Sequence, residues 1–280
     1  MTEIYCSTKP TGRVKAFPGL IFVNTLTKTT AHHKQFHCFH RYTGKVVDLD
    51  INLKGVVVIV GNYGSGKTEV AVNLGLQRKR DGIDVLLADL DLVNPYFRTR
   101  EARNYLSEMG IEIILPPRKY LHADLPILSP KVGGLIRNPA TLSILDAGGD
   151  GVGTTVLAAL ADMFRERPVE MLQVINPFRP FTADVNGCLV MRDRIEAAAR
   201  LKVTGLIGNA HLLDDTTLED VLQGYRLVTD VSAASGLPIA FITAAPGLVN
   251  RVRSAGVTCP VLPIERQMTM PWMKTAAPDQ

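Results

Sequence analysis

Eight consecutive residues, Gly61-Asn62-Tyr63-Gly64-Ser65-Gly66-Lys67-Thr68, constrain this chain more than any other stretch of it. They satisfy the spacing G-x-x-x-x-G-K-T, whose glycines let the backbone wrap closely and turn successive N–H groups inward as an anion nest. The motif follows the β-branched run Val56-Val57-Val58-Ile59-Val60 and precedes Glu69-Val70-Ala71-Val72-Asn73-Leu74, which reads as an amphipathic helix. Strand, tight loop and helix in that order bring the positive end of the helix to the nest. Residues Gly61, Asn62, Tyr63, Gly64, Ser65, Gly66, Lys67, Thr68 and Glu69 are therefore assigned to the phosphates of a nucleotide, ATP by preference with GTP left open. Lys67 is expected to bridge β- and γ-phosphate oxygens, and the Thr68 hydroxyl to ligate Mg²⁺.

Beyond Val56, short apolar β-branched runs alternate with helical patterns, the signature of βαβ units. Strands are expected near 56–60, 84–89, 141–146, 170–175, 203–208 and 238–243, with helices near 67–80, 98–109, 153–165, 182–200 and 216–235. The fold class that follows is α/β, a mostly parallel central sheet with helices on both faces. Leu115 to Asn138 carries prolines at 116, 117, 126 and 130 and the pair Gly133-Gly134, and reads as a long irregular excursion suited to a lid or substrate contact.

The first fifty residues differ from the rest. They hold seven Lys/Arg against three acids, so the chain's net charge of +4 resides there and the remainder is neutral. A neutral body gives no electrostatic case for nucleic acid. His32, His33, His37 and His40, with Cys38, raise the question of a metal site, but they lack the two-part spacing of a zinc module. Residues 1–50 are read as a basic, poorly ordered leader and 51–280 as the nucleotide-binding domain. The contrast also raises the expectation of a start codon near Val46; peptides from residues 1–40 in the native protein would remove it. No apolar run approaches the roughly 20 residues of a membrane span. Cys6, Cys38, Cys188 and Cys259 form no C-x-x-C pair, so no disulfide framework is expected and a cytoplasmic location is the economical reading.

A phosphate loop that uses Mg²⁺ needs acids at neighbouring strand ends. Leu86-Leu87-Ala88-Asp89-Leu90-Asp91 and Ile144-Leu145-Asp146-Ala147-Gly148-Gly149 supply them, although an Asp after a strand also serves as an ordinary cap. With the GKT loop, these runs resemble the MinD/ParA/CobQ-type proteins, a branch of the P-loop NTPases. The resemblance implies that Asp91 lies in a first switch and positions the attacking water, with Asp89 near the metal. It implies that Asp146 holds Mg²⁺ and that the Gly149 amide meets the γ-phosphate. It places Asn209, at the end of Leu206-Ile207-Gly208-Asn209, on the purine, with Ala245 and Pro246 bordering the base; a lone Asn there also reads as a turn residue. Residues 94–101, 176–181 and 260–263 resemble a subgroup described only as ATP-binding proteins with such a domain.

Two positions depart from that family. Its ATPases carry a lysine where this chain has Asn62, and a glycine where it has Tyr63. In those ATPases the lysine reaches a partner subunit's phosphates and stabilises the transition state, a role worth several kcal/mol. Arg98 and Arg100 are candidates to replace it or to grip an anionic substrate; they read equally well as solvated charges on a helix. The chain also lacks a basic amphipathic C-terminal helix, so no membrane anchor is expected. The favoured function is a slow Mg-dependent ATPase switch acting on an unidentified protein, small molecule or metallocofactor, with Lys67 and Asp91 catalytic and a homodimer left open. The alternatives are an ATP-dependent ligase or amidase, with Arg98, Arg100 and Arg103 holding a carboxylate, a small-molecule kinase, and a nucleotide sensor without turnover.

Overall fold

The computed structural model describes residues 51–90, 103–114, 130–148, 151–165 and 167–267. The elements run β1 (Gly55–Gly61), α1 (Lys67–Arg80), β2 (Val85–Asp89), α2 (Arg103–Glu108), β3 (Glu112–Ile114), α3 (Pro130–Arg137), β4 (Leu142–Asp146) and α4 (Gly151–Arg165). They continue through β5 (Val169–Ile175), α5 (Val185–Ala199), β6 (Gly205–Gly208), α6 (Leu218–Ser235), β7 (Ile239–Ala244), α7 (Val249–Ser254) and β8 (Val261–Pro263). All eight strands join one sheet in the order β3-β2-β4-β1-β5-β6-β7-β8, and each pairing is parallel. The expected α/β architecture is the one observed. Parallel neighbours cannot be joined by a hairpin, so each crossover lays a helix on a face of the sheet.

Alternation along the strands sorts the core. Val57 and Ile59 of β1, Val85 and Leu87 of β2, and Leu142 and Ile144 of β4 pack with Val70, Ala71 and Leu74 of α1. The residues between them, Val56, Val58, Val60, Ala88 and Leu145, pack against α3, α4 and α5. On that same face, α6 and α7 cover Leu206, Ile242 and Val261. Because helices lie on both sides, β1 is buried along its whole apolar run and needs no polar alternation.

The order of strands positions a site. From β1 the chain steps to β2 and outward to β3, returns to β4 between β2 and β1, then continues on the far side of β1 with β5. Such a reversal opens a crevice beyond the carboxyl ends of the central strands, where α/β sheets take their ligands. The loop 61–68 stands at that end of β1.

Several expectations need correction. Residues 130–137, expected to be irregular, form α3, which buries Val132, Leu135 and Ile136. Those positions make a helical i, i+3, i+4 stripe, and Pro130 starts the helix, where its missing N–H costs nothing. Strands β3 and β8 and helix α7 were not anticipated; at three, three and six residues they carry too little pattern to register. The expected helix near 98–109 appears as α2 from Arg103; residues 98–102, like 115–129 and the leader, lie outside the described residues. Among the described residues no helix is long and apolar enough to cross a membrane.

Candidate functional site

The loop leaves β1 through Gly61 and enters α1 through Gly66. A Cβ on Gly61 would lie 2.5 Å from the Val174 carbonyl oxygen, and one on Gly66 would lie 2.3 Å from the Asn209 amide nitrogen. Both residues also have positive φ, 150° and 89°, so only glycine fits at either end. Within the loop the Asn62 carbonyl is a hub, accepting from Ser65 N–H at 3.2 Å and from Lys67 Nζ at 3.0 Å. The lysine thus lies across the mouth of its own loop. Helices α5 and α6 begin with side-chain caps, Asp184 accepting from Gly187 N–H and Thr217 from Asp220 N–H. Helix α1 begins at Gly66 with no side-chain cap, which leaves its first-turn amides to an incoming anion.

On one side, the ends of β5, β6 and β7 hold the loop. Asn62 Nδ2 donates to the Pro180 carbonyl at 2.5 Å, and Arg179 Nε donates to the Gly64 carbonyl at 2.9 Å. Asn209 Nδ2 donates to the Ser65 carbonyl at 2.7 Å, while Asn209 Oδ1 accepts from the Thr243 hydroxyl at 2.5 Å. The 176–182 loop is closed on itself, because Thr182 Oγ1 donates to the Asn176 carbonyl at 2.8 Å. It is also tied to the next one, since Asn176 Nδ2 donates to the His211 carbonyl at 3.3 Å. Asn209 therefore has both ends of its amide engaged beneath the loop, where a purine contact was expected. Tyr63 projects outward and is 71% exposed.

His211 lies against the start of α1, its Nε2 3.1 Å from where a Gly66 Cβ would sit. Burial first, then the charges of Arg179 and Arg266, pull its pKa down from 6.5 to about 4. The imidazole is neutral at neutral pH.

The opposite side is acidic. Asp89 and Asp146 are register partners at the carboxyl ends of β2 and β4, and both are buried. They lie two residues beyond Leu87 and Ile144, so strand alternation turns both toward α1. The Thr68 hydroxyl donates to Asp146 Oδ2 at 2.6 Å. Hydroxyl and carboxylate are hard oxygen donors of the type Mg²⁺ takes alongside phosphate and water. Among the described residues no group of three or more His, Cys, Asp or Glu gathers to hold a metal with protein ligands alone. Thr68, Asp146 and Asp89 fit a magnesium ion that comes with its nucleotide.

The Glu69 carboxylate accepts from the Gln267 amide at 3.1 Å and faces the segment after β8. Ala245 and Pro246 follow β7 at the same end of the sheet as the loop, where Leu248 N–H donates to the Ala245 carbonyl at 2.8 Å. Asp91 and Gly149 lie outside the described residues, as do Arg98 and Arg100 and the side chain of Arg103. Arg179 and His211 were not anticipated as part of the site. The signal for Arg179 was a cation just past a strand that turns out to flank β1.

No model of a known protein family matches the chain, and no curated protein matches it significantly. Solved structures do resemble it. Chloroplast FtsY from Physcomitrella patens is 21% identical with a TM-score of 0.47, the match covering 71% of this chain and 61% of that one. The cell division protein FtsY from Thermotoga maritima is 20% identical with a TM-score of 0.48, covering 71% and 67%. The signal recognition particle 54 kDa protein from Aeropyrum pernix, in complex with GDP, is 20% identical with a TM-score of 0.46, covering 69% and 42%. The chain thus spans about three fifths of the length of the Physcomitrella patens protein. These likenesses are distant, and the fold stands on the strand order and the loop: an α/β, P-loop NTPase-like sheet with its glycine loop at the reversal of strand order.

Proposed function

We propose that the protein binds ATP with Mg²⁺ at the 61–68 loop and hydrolyses it slowly, as a cytoplasmic switch of the MinD/ParA/CobQ type acting on a protein or metallocofactor partner. One observation carries the reading. An uncapped helix start, a lysine across the loop mouth and a Thr68–Asp146 bond converge on one point at the carboxyl edge of the sheet.

The loop geometry supports roles for Lys67, Thr68 and Asp146. Lys67 Nζ gives up the Asn62 carbonyl for β- and γ-phosphate oxygens, and the loop amides donate to the same chain of phosphates. Thr68 and Asp146 would hold Mg²⁺, with Asp89 at the neighbouring strand end, and the bound ion would supply positive charge beside the phosphate oxygens. Asp91 orients the attacking water and the Gly149 amide meets the γ-phosphate, as the family resemblance implies; these two residues then form the switches. With both ends of its amide bound beneath the loop, Asn209 takes the role of a brace in place of base reader.

Calorimetric titration of the folded protein with ATP, ADP and GTP, each with Mg²⁺, tests the reading. ATP is expected to bind, to outcompete GTP, and to lose its heat of binding in Lys67→Ala. A folded wild-type protein that binds none of the three removes the proposal. Sedimentation with and without nucleotide reads out whether two copies associate.

A further inference from the structure

In the first half of the loop the Asn62 side chain is tied to the Pro180 carbonyl. The residue before Pro180 is Arg179, and it lies on the same stretch of the loop. Arg179 Nε donates to the Gly64 carbonyl at 2.9 Å and Nη1 to the Phe178 carbonyl at 3.3 Å. The side chain packs against Gly64 so closely that a Cβ there would meet Nε at 3.2 Å. A guanidinium has five N–H donors, so these two bonds leave others to spare. Among the described residues no carboxylate pairs with it.

Its place along the loop matters. Lys67 Nζ reaches back to the Asn62 carbonyl, so the half of the loop from Asn62 to Gly64 faces the β/γ end of a bound triphosphate. Arg179 stands on that half. Its charge is felt across the site, since it helps to hold the His211 imidazole neutral.

We propose that Arg179 supplies the second positive charge of the phosphate site, acting on the terminal phosphate from the wall of the loop. The inference rests on the nucleotide reading above. Arg179 is a positioning residue: its bond to the Gly64 carbonyl fixes and polarises the peptide that carries the Ser65 N–H. Its charge adds to the field where the third phosphate lies. This charge comes from the loop that follows β5, the strand beside β1 in the same chain.

The test compares a non-hydrolysable ATP analogue with ADP, both with Mg²⁺, by calorimetry on the full chain, with thermal unfolding as the control for folding. Arg179→Gln is expected to weaken the triphosphate about tenfold and ADP less than about threefold. Arg179→Lys is expected to recover most of that loss, because the charge survives although the fork geometry does not. Arg179→Met, which also lacks the charge, must reproduce the triphosphate-selective loss and serves if Arg179→Gln does not fold. Equal weakening of both nucleotides without rescue by lysine would mean a mechanical brace, and that result, or no change in either, overturns the inference. Lys67→Ala runs beside these variants: its failure to lose binding would sink the nucleotide reading itself, whereas an effect confined to Lys67 sinks only the role of Arg179.

Discussion

The two sides of the phosphate loop are built differently. On the β5–β6–β7 side, Asn62, Arg179 and Asn209 tie loop to sheet through backbone carbonyls, and the Thr243 hydroxyl backs Asn209. On the β2–β4 side the Thr68 hydroxyl of the loop helix donates to the buried Asp146 carboxylate, whose register partner Asp89 is also buried. Loop carbonyls must point away from an anion nest whose amides point in, so donors belong on the outer wall. A metal accompanying bound phosphates would reach them from the other side, where hard oxygens suit it. The difference teaches that one wall, which carries the Arg179 cation, shapes the loop, while the other offers hard oxygens, and substitutions should separate the two.

The sharpest break comes from the acidic wall. Asp146→Ala is expected to lower Mg-dependent ATP turnover by about a hundredfold or more while the melting temperature changes little, as read by phosphate release against added Mg²⁺. Next is the bracing wall. Asn209→Ala strands the Ser65 carbonyl and the Thr243 hydroxyl in a buried place, and should cost about 2–3 kcal/mol of stability by denaturant unfolding. Nucleotide affinity should fall with it, because the loop loses its floor.

His211 gives a pH-dependent version of the same test. The unfolded chain binds the imidazole proton near 6.5 and the fold only near 4. Between those values the unfolded state holds the extra proton, so stability rises with pH across the window. The contribution is complete above 6.5 and is lost as pH falls toward about 4. His211→Gln should remove a slope amounting to on the order of 2 kcal/mol between these limits, measured by unfolding at a series of pH values. The smallest effect lies away from both walls. Asn73 pairs with the backbone of Glu265, donating to its carbonyl at 2.9 Å and accepting from its amide at 3.0 Å. Asn73→Ala should cost about 1 kcal/mol and leave nucleotide affinity unchanged, marking the segment after β8 as a strap outside the site.

What could be read from the sequence follows from which interactions are local. The strand, loop and helix around Gly61 were legible because the motif itself dictates loop geometry, and the interior strands because burial on both faces demands unbroken β-branched runs. Asp89 and Asp146 were legible as strand-end acids, but their juxtaposition depends on β4 inserting between β2 and β1, a long-range pairing with no local mark. The same holds for Arg179, whose meaning appears only when β5 is laid beside β1. Asn209 was legible as a strand-end residue, but its bond to the Ser65 carbonyl depends on β6 lying near the loop and has no local mark. Helix α3 was hidden by the prolines and glycines around an otherwise regular apolar stripe.

The central claim is tested most directly by a crystal grown with Mg²⁺ and a non-hydrolysable ATP analogue. Phosphate oxygens are expected within hydrogen-bond distance of Lys67 Nζ and the 64–68 amides, with the metal on Thr68 beside Asp146. An analogue bound elsewhere while Lys67 stays on the Asn62 carbonyl would contradict it.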